Sequence, residues 1–140
     1  SIELDYWRIL DFLYVFPHKA KSIRVPQSMV SEKRKLGALY NKYNDVPFPR
    51  EFLARFSAIH TSITAILSSK GVVSEDELQR GRLQWQATDS PDGLLELVEA
   101  RAKAEATVID FLRNLRHLVP ATGPDGIKAR SGWLEHRYDA

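Results

Sequence analysis

The chain has 140 residues, of which 44% are hydrophobic and 27% are charged, and its formal net charge is +2. This size and composition predict one domain with a buried core, spanning 1–140, and exclude two full domains or a disordered chain. The sequence has no cysteine, which excludes disulfide scaffolds, thiolate metal sites and cysteine nucleophiles and suits a cytoplasmic protein. No apolar run approaches the roughly 18 residues of a membrane span, and no signal peptide is visible. Because the chain starts at Ser1 without methionine, a removed leader stays an open alternative.

Two helices are predicted in the first third of the chain. Residues 4–16 are apolar at most positions, which is typical of a helix at the centre of a core, and Pro17 ends this helix. The segment 22–26 is predicted to be short and extended, because it ends in a proline that restricts the residue before it. A second helix is predicted over 29–43. Its inward-facing residues are predicted to be Val30, Leu36, Leu39, Tyr40 and Tyr43.

The third predicted helix has the clearest pattern in the sequence. Its apolar positions alternate at spacings of four and three, as in a helix that packs lengthwise on another helix. These positions are Phe52, Phe56, Ile59, Ile63 and Ile66, and Gly71 ends the helix. Residues 82–87 then alternate apolar and polar side chains, which is typical of a half-buried strand. A strand after a helical unit resembles the wing of a winged helix, so the sequence keeps that arrangement open.

A fourth helix is predicted over 91–119. Ser90 followed by Pro91 is typical of a helix start, with an N-cap residue and then proline at the first helical position. Such a helix would be about 43 Å long, and in a chain of this size it offers surface to another chain. The predicted fold class is therefore mainly α, with four to five helices, a short β element near 82–87 and one long helix near 91–119.

The sequence contains no motif that marks an active site. There is no glycine-rich phosphate loop and no nucleophile elbow. The four histidines lie far apart without a paired spacing, which gives a metal site little support. His60 lies beside the third-helix seam, where a hydrogen-bonded core histidine is the favoured interpretation. We therefore predict no catalytic residues, no cofactor, no metal and no small-molecule substrate.

Positive charge is concentrated in residues 17–50, which carry eight Lys or Arg against two acidic residues. Such concentration is the pattern expected of a nucleic-acid or phosphate contact, although a solvated helix face has the same composition. The candidate nucleic-acid contacts are Lys33, Arg34 and Lys35 on the second helix, and Arg80 and Arg82 beside the predicted strand.

The C-terminal tail, residues 121–140, is the most distinctive part of the chain. Terminal segments are usually short and polar, but this one mixes large apolar side chains with cations. Trp, Tyr and Arg are enriched at the energetic centres of interfaces. The predicted partner-interface residues are Lys128, Arg130, Trp133, Leu134, Arg137 and Tyr138, and packing of the tail on its own domain is the alternative.

Two blocks of sequence resemble the middle components of bacterial ABC-three-component defence systems. They are LDYWRILDFLYVFPHKAKSIRVP at 4–26 and GIKARSGWLEHRYD at 126–139. The resemblance implies a small helical or winged-helix-like protein that bridges an SMC-like ABC ATPase to a separate effector, often a nuclease. This chain would then be a non-catalytic accessory subunit acting against phage or plasmid DNA, with DNA contacted through the complex and no membrane involved. The residues themselves also allow a stand-alone winged-helix DNA-binding regulator, or a helical adaptor or toxin–antitoxin partner.

Overall fold

The structure is a computed structural model that describes residues 1–86 and 93–134. In chain order its regular elements are β1 (Ile2–Glu3), α1 (Leu4–Val15), α2 (Val30–Gly37), α3 (Pro49–Ser69), α4 (Glu75–Gln79), β2 (Arg82–Leu83), α5 (Leu94–Ala104), α6 (Ala106–Leu118) and α7 (Ile127–Ser131). Short 3₁₀ turns occupy Pro17–Ser22, Gln27–Met29 and Lys42–Asn44. Helices dominate the described residues, so the prediction of a mainly α fold is confirmed.

Helix α1 lies at the centre of the core, as its nearly continuous apolar sequence predicts. Its fully buried residues are Tyr6, Ile9, Phe12 and Leu13. They pack with Phe111 and Leu115 of α6 in one hydrophobic cluster. The Tyr6 hydroxyl lies 2.7 Å from the Leu115 carbonyl oxygen and 2.9 Å from that of Val119. This contact ties α1 to the end of α6, and burial raises the pKa of the Tyr6 phenol.

The short β element is confirmed at Arg82–Leu83, and within residues 1–86 and 93–134 its strand partner is the N-terminal segment. Strand β2 pairs antiparallel with β1, so that Ile2 faces Leu83 and Glu3 faces Arg82. Trp85 adds one antiparallel bridge to Val73. Among the described residues the sheet therefore joins the N-terminus to the middle of the chain, and it gives no support to a winged-helix wing.

The predicted long helix over 91–119 is interrupted, and this part of the prediction was wrong. Helices α5 and α6 are separated by Glu105, whose φ of −113° and ψ of 34° are not helical. The Tyr14 hydroxyl of α1 donates a hydrogen bond to the Glu105 carboxylate, which ties the break to the core. The kink lets α6 bury Phe111 and Leu115, whereas α5 buries no residue. The predicted helix start at 91 lies outside the described residues.

Helix α2 ends at Gly37, whereas the sequence predicted a helix that continues to residue 43. The Asn41 side chain accepts a hydrogen bond from the Tyr43 N–H at 2.9 Å, which favours a local turn over a continued helix. Leu36 is fully buried, as predicted. Leu39, Tyr40 and Tyr43 were predicted to face inward, but they are 50%, 52% and 86% exposed.

Helix α3 forms close to its predicted limits, but only the first half of its seam is covered. Phe52 contacts the rings of Phe12 and Phe16, with centroids 5.8 and 5.4 Å apart. In the second half, Ile59, Ile63 and Ile66 are 50%, 39% and 55% exposed. The predicted seam is therefore covered only in its first half, while the packing of α3 on α1 continues as far as His60, whose ring lies 4.7 Å from that of Trp7.

Candidate functional site

The first part of the C-terminal tail is folded onto the chain's own core. Ile127 of α7 is fully buried and Trp133 is 6% exposed. The Trp133 indole meets the Phe12 ring edge-on, with centroids 4.9 Å apart. Gly132 has a φ of +68°, which lets the chain turn from α7 toward the core. Trp133 therefore follows the self-packing alternative rather than presenting its ring to a partner.

The two cations of α7 also contact their own chain. Lys128 Nζ lies 2.8 Å from an Asp5 carboxylate oxygen. Arg130 donates hydrogen bonds to the carbonyl oxygens of Asp125 at 2.6 Å and of Arg24 at 3.0 Å. Lys128 thus attaches α7 to α1. Arg130 attaches α7 both to the segment around Arg24 and to the loop that precedes α7.

Leu134 is half-buried against the core cluster. Arg137 and Tyr138, the last two residues predicted for the partner interface, lie outside the described residues. Contact of any of these six residues with a partner stays a prediction, and for Trp133 the buried position gives it no support.

The structure groups two of the three cations of α2 with Lys21, which precedes the helix. Lys33 and Arg34 line a shallow depression together with Lys21 and Gly37. Arg34 and Lys35 are exposed and Lys33 is half-buried. No ion pair among the described residues involves Lys33, Arg34 or Lys35. This surface is therefore positively charged, which is the property that phosphate contact requires.

The two arginines near β2 differ in how far their charges are balanced within the chain. Arg82 lies 3.0 Å from a Glu3 carboxylate oxygen and 3.4 Å from one of Glu77. Arg80 is largely exposed and forms a 3.1 Å ion pair with Glu77. Since two carboxylates already neutralise Arg82, its placement gives no support to a phosphate contact.

His60 is a core histidine, as predicted. It is 1% exposed and lies between the rings of Trp7 and Phe56, at centroid distances of 4.7 and 4.5 Å. Its Nε2 lies 2.8 Å from an Asp11 carboxylate oxygen, so the pair joins α3 to α1. Within residues 1–86 and 93–134, no three His, Asp or Glu side chains cluster as metal ligands would.

Two uncovered apolar helix faces were not predicted as sites. The first, which we call the α3 stripe, consists of Ile59, Ile63 and Ile66. The second, the α5 face, consists of Leu95, Leu97 and Val98, which are 64%, 62% and 54% exposed. Contiguous exposed apolar residues mark interaction sites. The periodicity of both helices is visible in the sequence, but periodicity alone predicts burial and not which face lacks a cover.

The sequence matches the family of ABC-three component (ABC-3C) system Middle Component 5 over residues 1–139. The chain belongs to this family. The resemblance carried by two blocks is thereby confirmed and extends over nearly the whole chain. A middle component is an accessory part of a multi-protein system, so this chain has protein partners. No curated protein and no solved structure gives a match. In the part of the chain that the structure describes, no helix is both long and apolar enough to cross a membrane.

Proposed function

We propose that this middle component is a non-catalytic accessory subunit that bridges an SMC-like ABC ATPase to an effector protein in an anti-phage or anti-plasmid defence complex. The observation that carries the proposal is the presence of two uncovered apolar faces, the α3 stripe and the α5 face, on one small chain of a three-component family. A bridging subunit needs two surfaces for two partners.

The α3 stripe and the α5 face lie on different parts of the fold, which supports the binding of one partner at each face. Helix α3 packs on α1, whereas α5 joins the body through α6 and buries no residue of its own. Burying an exposed Leu or Val side chain contributes roughly 1–2 kcal/mol. The α5 face therefore holds enough apolar surface to anchor a partner once that partner covers it.

Placement of the titratable pairs supports a structural role for this chain. His60 with Asp11 and His18 with Asp45 both join segments that are distant in sequence. These pairs hold elements together. We assign ATP hydrolysis and the effector reaction to the other components of the system.

DNA association through the assembled complex is part of the same proposal. Its support is the positive surface of α2, formed by Lys33, Arg34 and Lys35. Lysines suit phosphate contact better than base recognition. This surface therefore favours contact with the DNA backbone over sequence-specific regulation.

The test is assembly of purified full-length ATPase, effector and middle component of one system, followed by size-exclusion chromatography with light scattering. We expect a ternary complex that does not form when the middle component is left out. Val98→Asp, in the α5 face, should remove one partner. Ala100→Asp, on the opposite side of the same helix, is the matched control and should leave the complex intact.

Two results would overturn the proposal. One is a wild-type middle component that binds neither of the other two proteins. The other is a free homodimer that binds duplex DNA with sequence preference, which would favour the stand-alone regulator instead.

A further inference from the structure

The exposed side of α3 carries no charge over most of its length. Between Arg55 and Lys70 the only titratable residue is His60, which is buried. The exposed positions in this stretch are Ala58, Ile59, Thr61, Ser62, Ile63, Ala65, Ile66 and Ser69. Depletion of charge is what distinguishes the centre of a protein interface from the rest of the surface. This side of α3 therefore has the composition of an interface.

The apolar residues of this surface form one line along the helix. Arg55, the three isoleucines of the α3 stripe and Lys70 follow one another at spacings of four, four, three and four residues, so all five lie on one face. At 1.5 Å per residue, the two cations are about 22 Å apart along the axis. The line has the length and width of a contact with one helix.

Small residues run beside the stripe and allow close approach. Ala58, Ser62, Ala65 and Ser69 repeat at spacings of four, three and four residues. Helices pack at interaxial distances of about 8–10 Å, and small side chains permit the lower end of that range. The surface therefore fits a second helix better than a loop or a flat sheet.

The charges at the two ends decide what kind of helix fits. No ion pair among the described residues involves Arg55 or Lys70, and although Glu51 lies one turn before Arg55, it forms no ion pair with it. An antiparallel second copy of α3 would place Arg55 beside Lys70, and a parallel copy would place each cation beside its equivalent. Both arrangements bring like charges together, which is unfavourable. A partner with acidic groups at both ends is favoured instead.

We propose that the α3 stripe binds an amphipathic helix of another component of the ABC-three component system. The partner helix presents an uncharged apolar seam bounded by acidic side chains about four turns apart, which face Arg55 and Lys70. This inference rests on the proposed function, because the partner is taken from the same system.

The first measurement uses calorimetry. It compares how tightly the purified full-length ATPase and the purified full-length effector each bind wild-type and variant middle component. Ile63→Asp should weaken one of the two interactions by at least about 10-fold, since it places a charge in the centre of the seam. Thr107→Asp, exposed on α6 and outside the α3 stripe and the α5 face, is the matched control and should bind as wild type does. Circular dichroism and thermal melting check that each variant is folded.

The second measurement tests the ends of the stripe with substitutions of exposed residues that do not threaten the fold. Arg55→Glu with Lys70→Glu should weaken the same interaction about 10-fold at low salt and reduce its salt dependence. Lys42→Glu with Arg113→Glu makes the same change of charge on exposed side chains outside α3 and should leave that affinity unchanged.

A photo-crosslinking amino acid at Ser62 identifies the occupant within the assembled complex. A cross-link to a helix with acidic residues at both ends is expected, and changing those acidic residues to lysine should restore binding to the Arg55→Glu, Lys70→Glu variant. A cross-link to a second copy of this chain, or unchanged affinity of Ile63→Asp in an intact complex, would overturn this inference and leave the proposed function standing. Failure of wild type to bind either component would overturn the proposed function itself.

Discussion

At the scale of single residues, Trp133 holds the end of α7 to the body of the chain. Its indole contacts Phe12 edge-on, and Phe12 in turn lies within the cluster at the centre of the core. Aromatic pairs of this geometry contribute beyond the area that they bury. The Trp133 side chain therefore stabilises the fold. Because its substitution would also destabilise the protein, it would not test partner binding separately from stability.

We predict that Trp133→Ala lowers the free energy of unfolding by about 3–5 kcal/mol, because it removes a large buried ring and leaves a cavity beside Phe12. Denaturant unfolding followed by circular dichroism measures the change. Trp85→Ala is the matched control, since Trp85 is 56% exposed, and it should cost less than about 1 kcal/mol. Equal small losses in the two variants would show that the tail does not dock as described.

Asp45 is a second residue whose environment is set by tertiary contacts. His18 Nε2 and Lys19 Nζ each lie 3.0 Å from its carboxylate oxygen, and the Val46 N–H donates to it at 2.8 Å. The hydrogen bond from His18, followed by that from Lys19, lowers the pKa of Asp45 from 3.8 to about 2. The ionised carboxylate thus joins the turn at Pro17–Ser22 to the loop before α3.

The lowered pKa predicts a pH dependence of stability. A carboxyl whose pKa is lower in the folded state stabilises the fold above its unfolded pKa, and this contribution is lost as pH falls through the folded pKa. The Asp45 contribution should therefore be complete above about pH 4 and lost on acidification toward pH 2. Unfolding midpoints of wild type and Asp45→Asn should differ at pH 6 and converge toward pH 2. Parallel curves over that interval would contradict this.

At the scale of elements, the position of α7 depends on a tight turn before it. Gly126 precedes α7 and is buried, and its N–H donates to the Gly123 carbonyl oxygen at 3.0 Å. A Cβ placed on Gly126 would lie 2.7 Å from the carbonyl carbon and oxygen of Thr122. Because these are backbone atoms, the turn must shift to admit any side chain.

We therefore predict that Gly126→Ala destabilises the protein by about 1–3 kcal/mol through this overlap. Gly37→Ala, at the end of α2, is the matched control because the nearest atom to its new Cβ is 3.6 Å away. It should be neutral or stabilising by up to about 1 kcal/mol. Thermal or denaturant unfolding of both variants measures the difference, and equal effects would contradict the crowding at Thr122.

At the scale of the whole molecule, its surfaces are divided by chemistry. The α3 stripe and the α5 face are apolar, whereas the α2 surface is positive. The apolar faces suit protein partners, and the positive surface suits phosphates. Under the proposed function, this division lets the apolar faces bind proteins while the positive surface contacts DNA.

For the α2 surface, we predict that changing Lys33, Arg34 and Lys35 to Glu weakens DNA binding by the assembled complex by about 10-fold or more near physiological salt. The slope of log affinity against log salt should also become shallower. Fluorescence anisotropy with duplex DNA of two unrelated sequences measures both effects, and the loss should be the same for the two. Unchanged binding would show that these three residues are ordinary solvated surface and do not contact DNA.

Several features of this protein could be predicted from the sequence because they depend on residues close together in the chain. The apolar density of α1 predicts its central position, the proline at its end predicts where it stops, and the period of α3 predicts its limits. The two sequence blocks also indicate the family, since a resemblance needs no knowledge of contacts. For the candidate surfaces, sequence predicts their charge and periodicity but not their exposure.

Tertiary structure alone decided the remaining features, because they depend on residues that are distant in sequence. No proline or glycine marks the break at Glu105, which is held by Tyr14 of another helix. Likewise, the aromatic residue that the sequence offers as a partner contact, Trp133, packs against Phe12 at the opposite end of the chain. Whether an apolar stripe is buried or left for a partner depends on which elements pack over it, and a local pattern carries no information about that.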